Sequence, residues 1–196
     1  RFAEFIGTDY AIGVNSGTSA LEICLRAIDV RNSSVIVPTN TFMATATAVV
    51  HAGGKIIFCD VSPKDLCIDP EDLKEKIRND TKAIIVVHIG GIISSNFKEI
   101  QDICQDNNIV LIEDAAHAHG STYDRKKAGT FGDMGVFSFY PDKIMSSSDG
   151  GIIVTNNYST YEKLILLRNV GRKQIGKYDY TEIGYNYRMN EIQASL

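Results

Sequence analysis

Several common binding signatures are absent from this sequence, and each absence removes a class of function. It contains no Gly-x-Gly-x-x-Gly, the pattern of dinucleotide-binding turns, and no complete P-loop, in which Gly-x-x-x-x-Gly-Lys precedes Ser or Thr. Its four cysteines include no Cys-x-x-Cys pair. It has no run of basic residues, and its net charge of −4 argues against nucleic acid or an anionic membrane surface as a partner.

No segment resembles a signal peptide or a membrane span, so the cytoplasm is the expected compartment and a membrane is not an expected partner. A chain of 196 residues is long enough for one globular domain with a sizeable core. The sequence begins at Arg1 without a methionine and ends in an incipient helix, 190–196, that has no Gly or Asn stop signal. We therefore expect a single domain, 1–196, that is cut at both ends from a longer chain.

Short apolar, β-prone runs alternate with helical segments of ten or more residues along most of the chain. The predicted strands are 11–14, 35–38, 55–59, 82–87, 109–112, 136–140 and 152–155. This alternation predicts an α/β fold with a mostly parallel, mixed sheet and helices on both faces. Ligands of such sheets bind beyond the carboxyl ends of the strands, and Asp60, His88 and Asp114 each follow a strand.

Lys143 stands in a short polar loop between the last two predicted strands. Pro141 ends the first of them because proline cannot donate to a sheet ladder, and two glycines turn the backbone into the second. A lysine in this place has two interpretations. It is a surface residue on a turn, or it is a partly dehydrated amine that forms a Schiff base with an aldehyde. Lys143 alone leaves both open.

The turn 16–19, Ser-Gly-Thr-Ser, lies between a predicted strand and a predicted helix. Small residues and free N–H groups at a helix start suit an anion, but plain N-capping by the same side chains explains them equally well. A second polar turn, 39–41, is predicted to cap the next helix, which runs to about residue 52. Phe42 falls in the first turn of that helix, either as a core residue or as a platform for stacking.

Glu113 and Asp114 end the fifth predicted strand and precede a segment of small alanines and two histidines. Strand alternation puts the two carboxylates on opposite faces, so at most one of them points into a shared pocket. The alanines leave room for a flat ligand. His117 and His119 alone are weak support for a metal site, because no further spaced ligands accompany them, and no metal is predicted.

An amine on a loop, a carboxylate at a strand end, an anion site at a helix start and a nearby aromatic ring together suit pyridoxal phosphate. The lysine would hold the aldehyde of this cofactor, and the carboxylate would keep the pyridine nitrogen protonated so that the ring withdraws electrons. No single piece requires this cofactor. The four features together are compatible with far fewer ligands than any one of them alone.

The sequence resembles the DegT/StrS-like family of pyridoxal-phosphate-dependent sugar aminotransferases, through several motifs in the order of the family. These motifs are Asn-Ser-Gly-Thr-Ser-Ala-Leu (15–21), Val-Pro-Thr-Asn-Thr-Phe-Met-Ala-Thr (37–45), Glu-Asp-Ala-Ala-His-Ala-His-Gly (113–120), Phe-Ser-Phe-Tyr-Pro-Asp-Lys (137–143), Asp-Gly-Gly (149–151) and Gly-Tyr-Asn-Tyr-Arg-Met (184–189). The resemblance covers nearly all of the chain. It implies the large, cofactor-binding domain of a fold-type I aminotransferase, without the smaller carboxy-terminal domain.

By this resemblance, Lys143 is the Schiff-base lysine, which also moves the proton between substrate and cofactor carbons. Asp114 is the partner of the pyridine nitrogen, and His117 lies next to the phenolic oxygen of the ring. Phe42 is similar to the aromatic residue that stacks on the ring. The residues that resemble the phosphate cradle are Gly17, Thr18, Ser19 and Ser138.

Asn186 matches a residue that reaches the phosphate of the neighbouring subunit, so the resemblance implies a homodimer with shared active sites. The segment 173–196 is expected to extend towards the partner. Tyr185 and Arg188 lie on the same segment, and their roles stay open.

The sequence departs from the family at three places. His117 stands where many members carry glutamine, Asp142 where a small or neutral residue is commoner, and 146–148 is serine where the loop is usually richer in glycine. A branch of the family that dehydrates sugars carries histidine in place of the lysine, and Lys143 argues against that branch.

The resemblance implies amino transfer, with glutamate as the expected donor, to a keto group of a nucleotide-linked sugar. One alternative is an aminotransferase that acts on a keto-cyclitol or another small ketone. A second is a non-catalytic regulatory protein that keeps the fold, and a third is a truncated fragment without activity.

Overall fold

The computed structural model describes residues 1–173 and 178–196, in which a seven-stranded sheet is covered by helices. The strands are β1 (Tyr10–Val14), β2 (Ser34–Pro38), β3 (Lys55–Cys59), β4 (Thr81–Val87), β5 (Val110–Asp114), β6 (Thr122–Tyr123), β7 (Lys126–Lys127), β8 (Met134–Ser138) and β9 (Gly151–Thr155). The helices are α1 (Phe2–Ile6), α2 (Gly17–Ala27), α3 (Met43–His51), α4 (Pro70–Lys76), α5 (Phe97–Asp106), α6 (Tyr158–Arg168) and α7 (Glu191–Ser195), and a 3-10 turn follows β4 at Ile89–Gly91. No helix in these two ranges has both the length and the apolar character that crossing a membrane requires.

The sheet is mixed and mostly parallel, as the alternation of strands and helices predicts. Its strand order is β1-β9-β8-β5-β4-β2-β3, and the five strands from β8 to β3 run parallel. Strand β9 is antiparallel to both of its neighbours, β1 and β8. The short strands β6 and β7 form a separate hairpin that is not among the predicted strands.

Successive residues of the buried strands point to opposite faces of the sheet. In β2, Val35 and Val37 pack with residues of α2, α3 and α6, whereas Ile36 packs with residues of α4 and α5. Each fully buried aliphatic side chain of this kind stabilises the fold by roughly 1.5–3 kcal/mol. The two apolar clusters fix the sheet between its helices, and they leave the carboxyl ends of the strands free to carry polar residues.

Helix α3 begins later than the sequence indicates. The predicted capping by 39–41 is wrong, because the helix starts at Met43 and its N-cap residue, Phe42, makes no side-chain capping bond. The hydroxyl of Thr41 instead contacts the hydroxyl of Thr45 at 2.7 Å. Strand β8 also ends at Ser138 rather than 140, because the backbone then enters the loop that carries Lys143.

Candidate active site

A cavity of about 710 Å³ opens at the carboxyl ends of β4, β5 and β8, beside the starts of α2 and α3. Seven of the nine residues with a predicted role line it: Gly17, Thr18, Phe42, Asp114, His117, Ser138 and Lys143. The structure therefore brings together groups that lie as much as 126 positions apart in the chain (143 − 17). Its wall also includes residues without a predicted role, among them Asn40, Thr41, Thr45, His88, Tyr140 and Asp149.

Lys143 borders this cavity from the loop that joins β8 to β9. Its backbone N–H donates to the carbonyl of Tyr140 at 2.9 Å, which closes a tight turn before the lysine. Its Nζ lies 3.2 Å from Oδ1 of Asp142, and the side chains are 15% and 68% exposed respectively. The side chain of Lys143 is thus largely buried, with one exposed carboxylate beside its amine. An ion pair with so exposed a partner contributes little to stability.

Asp114 is the carboxylate of β5 that faces the cavity. Its Oδ2 accepts a hydrogen bond from Thr45 Oγ1 at 3.0 Å, and its Oδ1 accepts one from the backbone N–H of Ala116 at 3.2 Å. Burial raises the pKa of Asp114, and these two hydrogen bonds and the charges of His88 and His117 oppose that rise. A cationic ring nitrogen beside this carboxylate would stabilise its charged form.

Helix α2 starts at Gly17, so its first N–H groups have no partner inside the helix. A Cβ atom at Gly17 would come within 3.0 Å of Ser138 Cβ, which means that this turn and the end of β8 are in close contact. Ser19 is placed differently from the prediction. Its N–H and hydroxyl bond to Ser16 and its hydroxyl also donates to Asn15 at 2.6 Å, and it does not line the cavity. Gly17 and Thr18 therefore form the open part of the turn.

His117 and Phe42 border the cavity from different elements. The ring Nδ1 of His117 accepts a hydrogen bond from the backbone N–H of Gly90 at 3.3 Å, so its neutral ring carries the proton on Nε2. Phe42 is 75% exposed, which excludes the interpretation as a core residue.

Within residues 1–173 and 178–196, no group of three or more His, Cys, Asp or Glu side chains is arranged to hold a metal ion.

The segment that carries Asn186 lies against α2, α6 and the edge of the sheet. Tyr187 donates from its hydroxyl to Glu22 Oε2 at 2.9 Å, and its backbone oxygen accepts from Asn15 at 2.9 Å. Arg188 Nη1 donates to Asn169 Oδ1 at 2.9 Å. Asn186 is exposed and does not line the cavity of its own chain. The expectation that 173–196 extends towards a partner falls partly on residues 174–177, which lie outside the described residues.

The donor set of the cavity fits a phosphorylated pyridine aldehyde. A lysine amine at one wall suits the aldehyde, and a buried carboxylate suits a protonated ring nitrogen. The start of α2 offers N–H groups to a phosphate, and the exposed ring of Phe42 offers a flat apolar face. The small side chains of Ala44 and Ala116 leave space in the wall for a planar ring.

Known proteins resemble this chain in sequence and in fold. The model of the DegT/DnrJ/EryC1/StrS aminotransferase family matches residues 1–196. The GDP-perosamine synthase of Vibrio cholerae is 36% identical over 197 residues, which cover 100% of this chain and 53% of that protein. A putative L-glutamine:3-amino-2,3-dideoxy-scyllo-inosose aminotransferase of Micromonospora echinospora is 34% identical, over 100% of this chain and 47% of that protein. The chain thus spans about half the length of the curated relatives it matches.

Solved structures of similar proteins have the same fold. A putative sugar aminotransferase of Streptococcus pneumoniae, solved in its pyridoxal phosphate form, superposes with a TM-score of 0.90 at 28% identity, over 100% of this chain and 55% of that one. The predicted fold class is confirmed: the chain has the α/β architecture of fold-type I aminotransferases.

Proposed function

Because the chain belongs to the DegT/DnrJ/EryC1/StrS aminotransferase family, we propose that it binds pyridoxal phosphate and transfers an amino group to a keto group of a nucleotide-linked deoxysugar. L-glutamate is the proposed donor. The observation that carries the proposal is that Lys143, Asp114 and the start of α2 line one cavity. Relatives with sugar-nucleotide names, such as the GDP-perosamine synthase of Vibrio cholerae, support this substrate class.

When bound, pyridoxal phosphate supplies an aldehyde that condenses with primary amines and a ring that withdraws electrons. Lys143 provides the amine that anchors the aldehyde, and as a free amine it moves the proton at the substrate carbon. Asp114 holds the proton of the ring nitrogen, and Thr45 orients this carboxylate through its hydrogen bond. His117 donates from Nε2 to the phenolic oxygen.

The remaining residues hold and orient the cofactor. The N–H groups of Gly17 and Thr18 and the hydroxyl of Ser138 bind the phosphate, with the favourable end of the α2 dipole behind them. Phe42 covers one face of the ring and limits the access of water. Ser19 contributes by closing the capping network of this turn, because its polar groups are engaged with Asn15 and Ser16.

We further propose that the active protein is a homodimer in which Asn186 of each subunit reaches the phosphate site of the other. The exposure of Asn186, outside the cavity of its own chain, supports this arrangement. An Asn186→Ala variant should bind the cofactor more weakly without loss of the folded state.

The test of the main proposal is cofactor binding by the intact protein. The wild type should show a visible absorption band when it is titrated with pyridoxal phosphate, and borohydride reduction followed by peptide mapping should place the label on Lys143. Lys143→Arg, which keeps the charge, and Lys143→Ala should both lose the band. A band that survives Lys143→Ala, or a label on another residue, would refute the assignment.

A second acceptor class, the keto-cyclitols, is supported by the relative in Micromonospora echinospora, whose name describes an aminotransferase for an amino-dideoxy-inosose. Amino transfer from glutamate and from glutamine to a panel of keto sugar nucleotides and keto-cyclitols separates the two acceptor classes. Absence of any spectral change in the cofactor titration would instead favour a non-catalytic regulatory protein.

A further inference from the structure

Tyr140 lines the cavity, and the proposed function has so far given it no role. Its backbone carbonyl accepts from the N–H of Lys143 at 2.9 Å, so Tyr140 is the first residue of a hydrogen-bonded turn and Lys143 is the last. Pro141 occupies the second position of this turn, which its fixed φ favours. The Cα atoms of the first and last residues of such a turn lie within about 7 Å of each other. Tyr140 therefore stands next to the lysine that carries the proposed chemistry.

The side chain of Tyr140 is not part of the core. The preceding residue, Phe139, is 8% exposed, and its ring packs against the rings of Phe2 and His119. Tyr140 is 53% exposed. Its N–H donates to Ser138 Oγ at 3.3 Å, so both polar groups of its backbone are held while the side chain remains accessible.

The other polar side chains of the wall that have no predicted role already contact partners inside the chain. They are Ser16, Asn40, Thr41, Thr45, His88, Asp142 and Asp149. Within the part of the chain that the structure describes, the hydrogen bonds of Tyr140 are those of its backbone. Its hydroxyl is therefore available to a molecule that enters the cavity.

A phenol in this place suits a hydroxylated ring. Tyrosine combines a flat apolar face with a hydroxyl that donates and accepts hydrogen bonds. Sugar and cyclitol rings present C–H groups on their faces and hydroxyl groups at their edges, so both proposed acceptor classes match these two features. The keto carbon of an acceptor must come close to Lys143, because that amine moves the proton there. The neighbouring ring carbons then lie beside the first residue of the turn.

We propose that Tyr140 is a specificity-determining residue that contacts the acceptor. Its hydroxyl forms a hydrogen bond with a hydroxyl group on a carbon next to the keto group, and its ring covers one face of the acceptor ring. This inference rests on the proposed function, because it requires amino transfer to an acceptor of that kind.

Tyr140→Phe removes the hydroxyl and keeps the ring. The intact wild type and the variant are compared on the best acceptor from the panel of keto sugar nucleotides and keto-cyclitols, with L-glutamate as the donor. The ratio of kcat/KM for the acceptor to kcat/KM for glutamate should fall about 3- to 10-fold in Tyr140→Phe, as expected for the loss of one neutral hydrogen bond. The dissociation constant for pyridoxal phosphate, from an absorbance titration, should stay the same. Tyr158→Phe is the matched control and should change neither quantity, because Tyr158 is 57% exposed at the start of α6 and does not line the cavity.

A second comparison isolates the hydrogen bond itself. The wild type should prefer the acceptor over its deoxy analogue, which lacks the hydroxyl next to the keto group, by about 3- to 10-fold in kcat/KM. Tyr140→Phe should use the two compounds about equally. A displaced Lys143 would instead slow both compounds alike, so this readout separates a contact with the acceptor from a disturbed turn.

The possible failures are distinguishable. If the wild type transfers the amino group but Tyr140→Phe keeps the full preference for the hydroxylated acceptor, or an unchanged ratio of the two kcat/KM values, this inference is wrong and the proposed function stands. Weaker binding of pyridoxal phosphate by Tyr140→Phe would also overturn it, because the phenol would then contact the cofactor. A wild type that binds the cofactor but uses no acceptor of the panel would overturn the proposed acceptor class together with this inference.

Discussion

The hydroxyl of Thr45 donates a hydrogen bond to Oδ2 of Asp114 at 3.0 Å, and this contact joins the first turn of α3 to the last residue of β5. Both residues are buried. Thr45 also contacts the hydroxyl of Thr41 at 2.7 Å, so the carboxylate is held by a short chain of hydroxyl groups. Burial raises the pKa of Asp114, and the hydrogen bond from Thr45 is the largest influence in the opposite direction. The orientation and the charge of Asp114 therefore both depend on this threonine.

Thr45→Val should weaken the binding of pyridoxal phosphate by about tenfold, which corresponds to roughly 1.4 kcal/mol. The variant keeps the shape of the side chain but removes the donor, so one oxygen of a buried carboxylate loses its partner. Thr45→Ser keeps the hydroxyl and is the matched control. Absorbance titration of both variants checks the prediction, and equal affinities would contradict it.

The raised pKa of Asp114 predicts how the stability of the cofactor-free protein depends on pH. Folded Asp114 keeps its proton to a higher pH than the unfolded chain, in which an aspartate titrates near about 3.9. Its contribution to stability is therefore complete below that value and is lost as the pH rises through the folded-state pKa.

Asp114→Asn removes this dependence, so the free energy of unfolding of the variant relative to the wild type should increase from pH 4 upwards. Urea unfolding of both proteins at a series of pH values measures the difference. When pyridoxal phosphate is added at neutral pH, the free energy of unfolding should increase more for the wild type than for Asp114→Asn, because the wild type binds the cofactor more strongly. If the difference in the free energy of unfolding between the two cofactor-free proteins does not change with pH, folding does not raise the pKa of Asp114.

The sequence is sufficient to predict the fold class and seven of the residues that line the cavity. Parallel strands end at one edge of the sheet, so Asp114 and Ser138, which end two of them, meet there with the turn at Gly17. The alternation of β5 also correctly separates Glu113 from Asp114. The fold class and the separation of the two carboxylates depend on periodicity and chain order, whereas the role of Ser138 is implied only by the resemblance to the family.

Contacts between distant side chains are not predictable in the same way. In the sequence, nothing distinguishes Thr45 from other residues of its predicted helix. It becomes the hydrogen-bond partner of Asp114 only because α3 lies next to the end of β5 in the fold. The position of His88 after a strand places it near the site, but its pairing with Glu113 depends on three amide groups from a loop further along the chain. Ser19 matches a phosphate-binding motif, yet its hydroxyl bonds to Asn15 because local capping competes for it.

Gly17→Ala should disturb the proposed phosphate site, because the new Cβ atom would lie 3.0 Å from Ser138 Cβ and 3.3 Å from its hydroxyl. We expect a loss of stability of about 1–2 kcal/mol from the overpacking, and weaker cofactor binding because the turn must move. Gly13→Ala is the control, since its Cβ would meet only Met189 at an ordinary 3.9 Å. Urea unfolding and cofactor titration of both variants measure the effects. A Gly17→Ala protein as stable and as strongly binding as Gly13→Ala would contradict this description.

Tyr187→Phe tests how the segment 178–196 is held against the domain. The Tyr187 hydroxyl donates to Oε2 of Glu22, whose other oxygen accepts from Arg26 at 2.9 Å. The Glu22 side chain is only 9% exposed, so loss of this donor should lower the free energy of unfolding by about 1 kcal/mol. Tyr185→Phe is the matched control, because Tyr185 contacts Arg26 through the face of its ring, which phenylalanine retains.

The effect of Tyr187→Phe should also depend on pH in the alkaline range. Burial and the neighbouring Glu22 raise the pKa of Tyr187 to about 12, whereas a tyrosine in the unfolded chain titrates near about 10. The stability that the hydroxyl contributes is therefore complete below pH 10 and is lost as the pH rises through the folded-state value. The difference between the wild type and Tyr187→Phe should shrink over this window, while Tyr185→Phe should follow the wild type. If the difference stays constant up to the highest pH at which the protein folds, the hydroxyl does not hold the segment through Glu22.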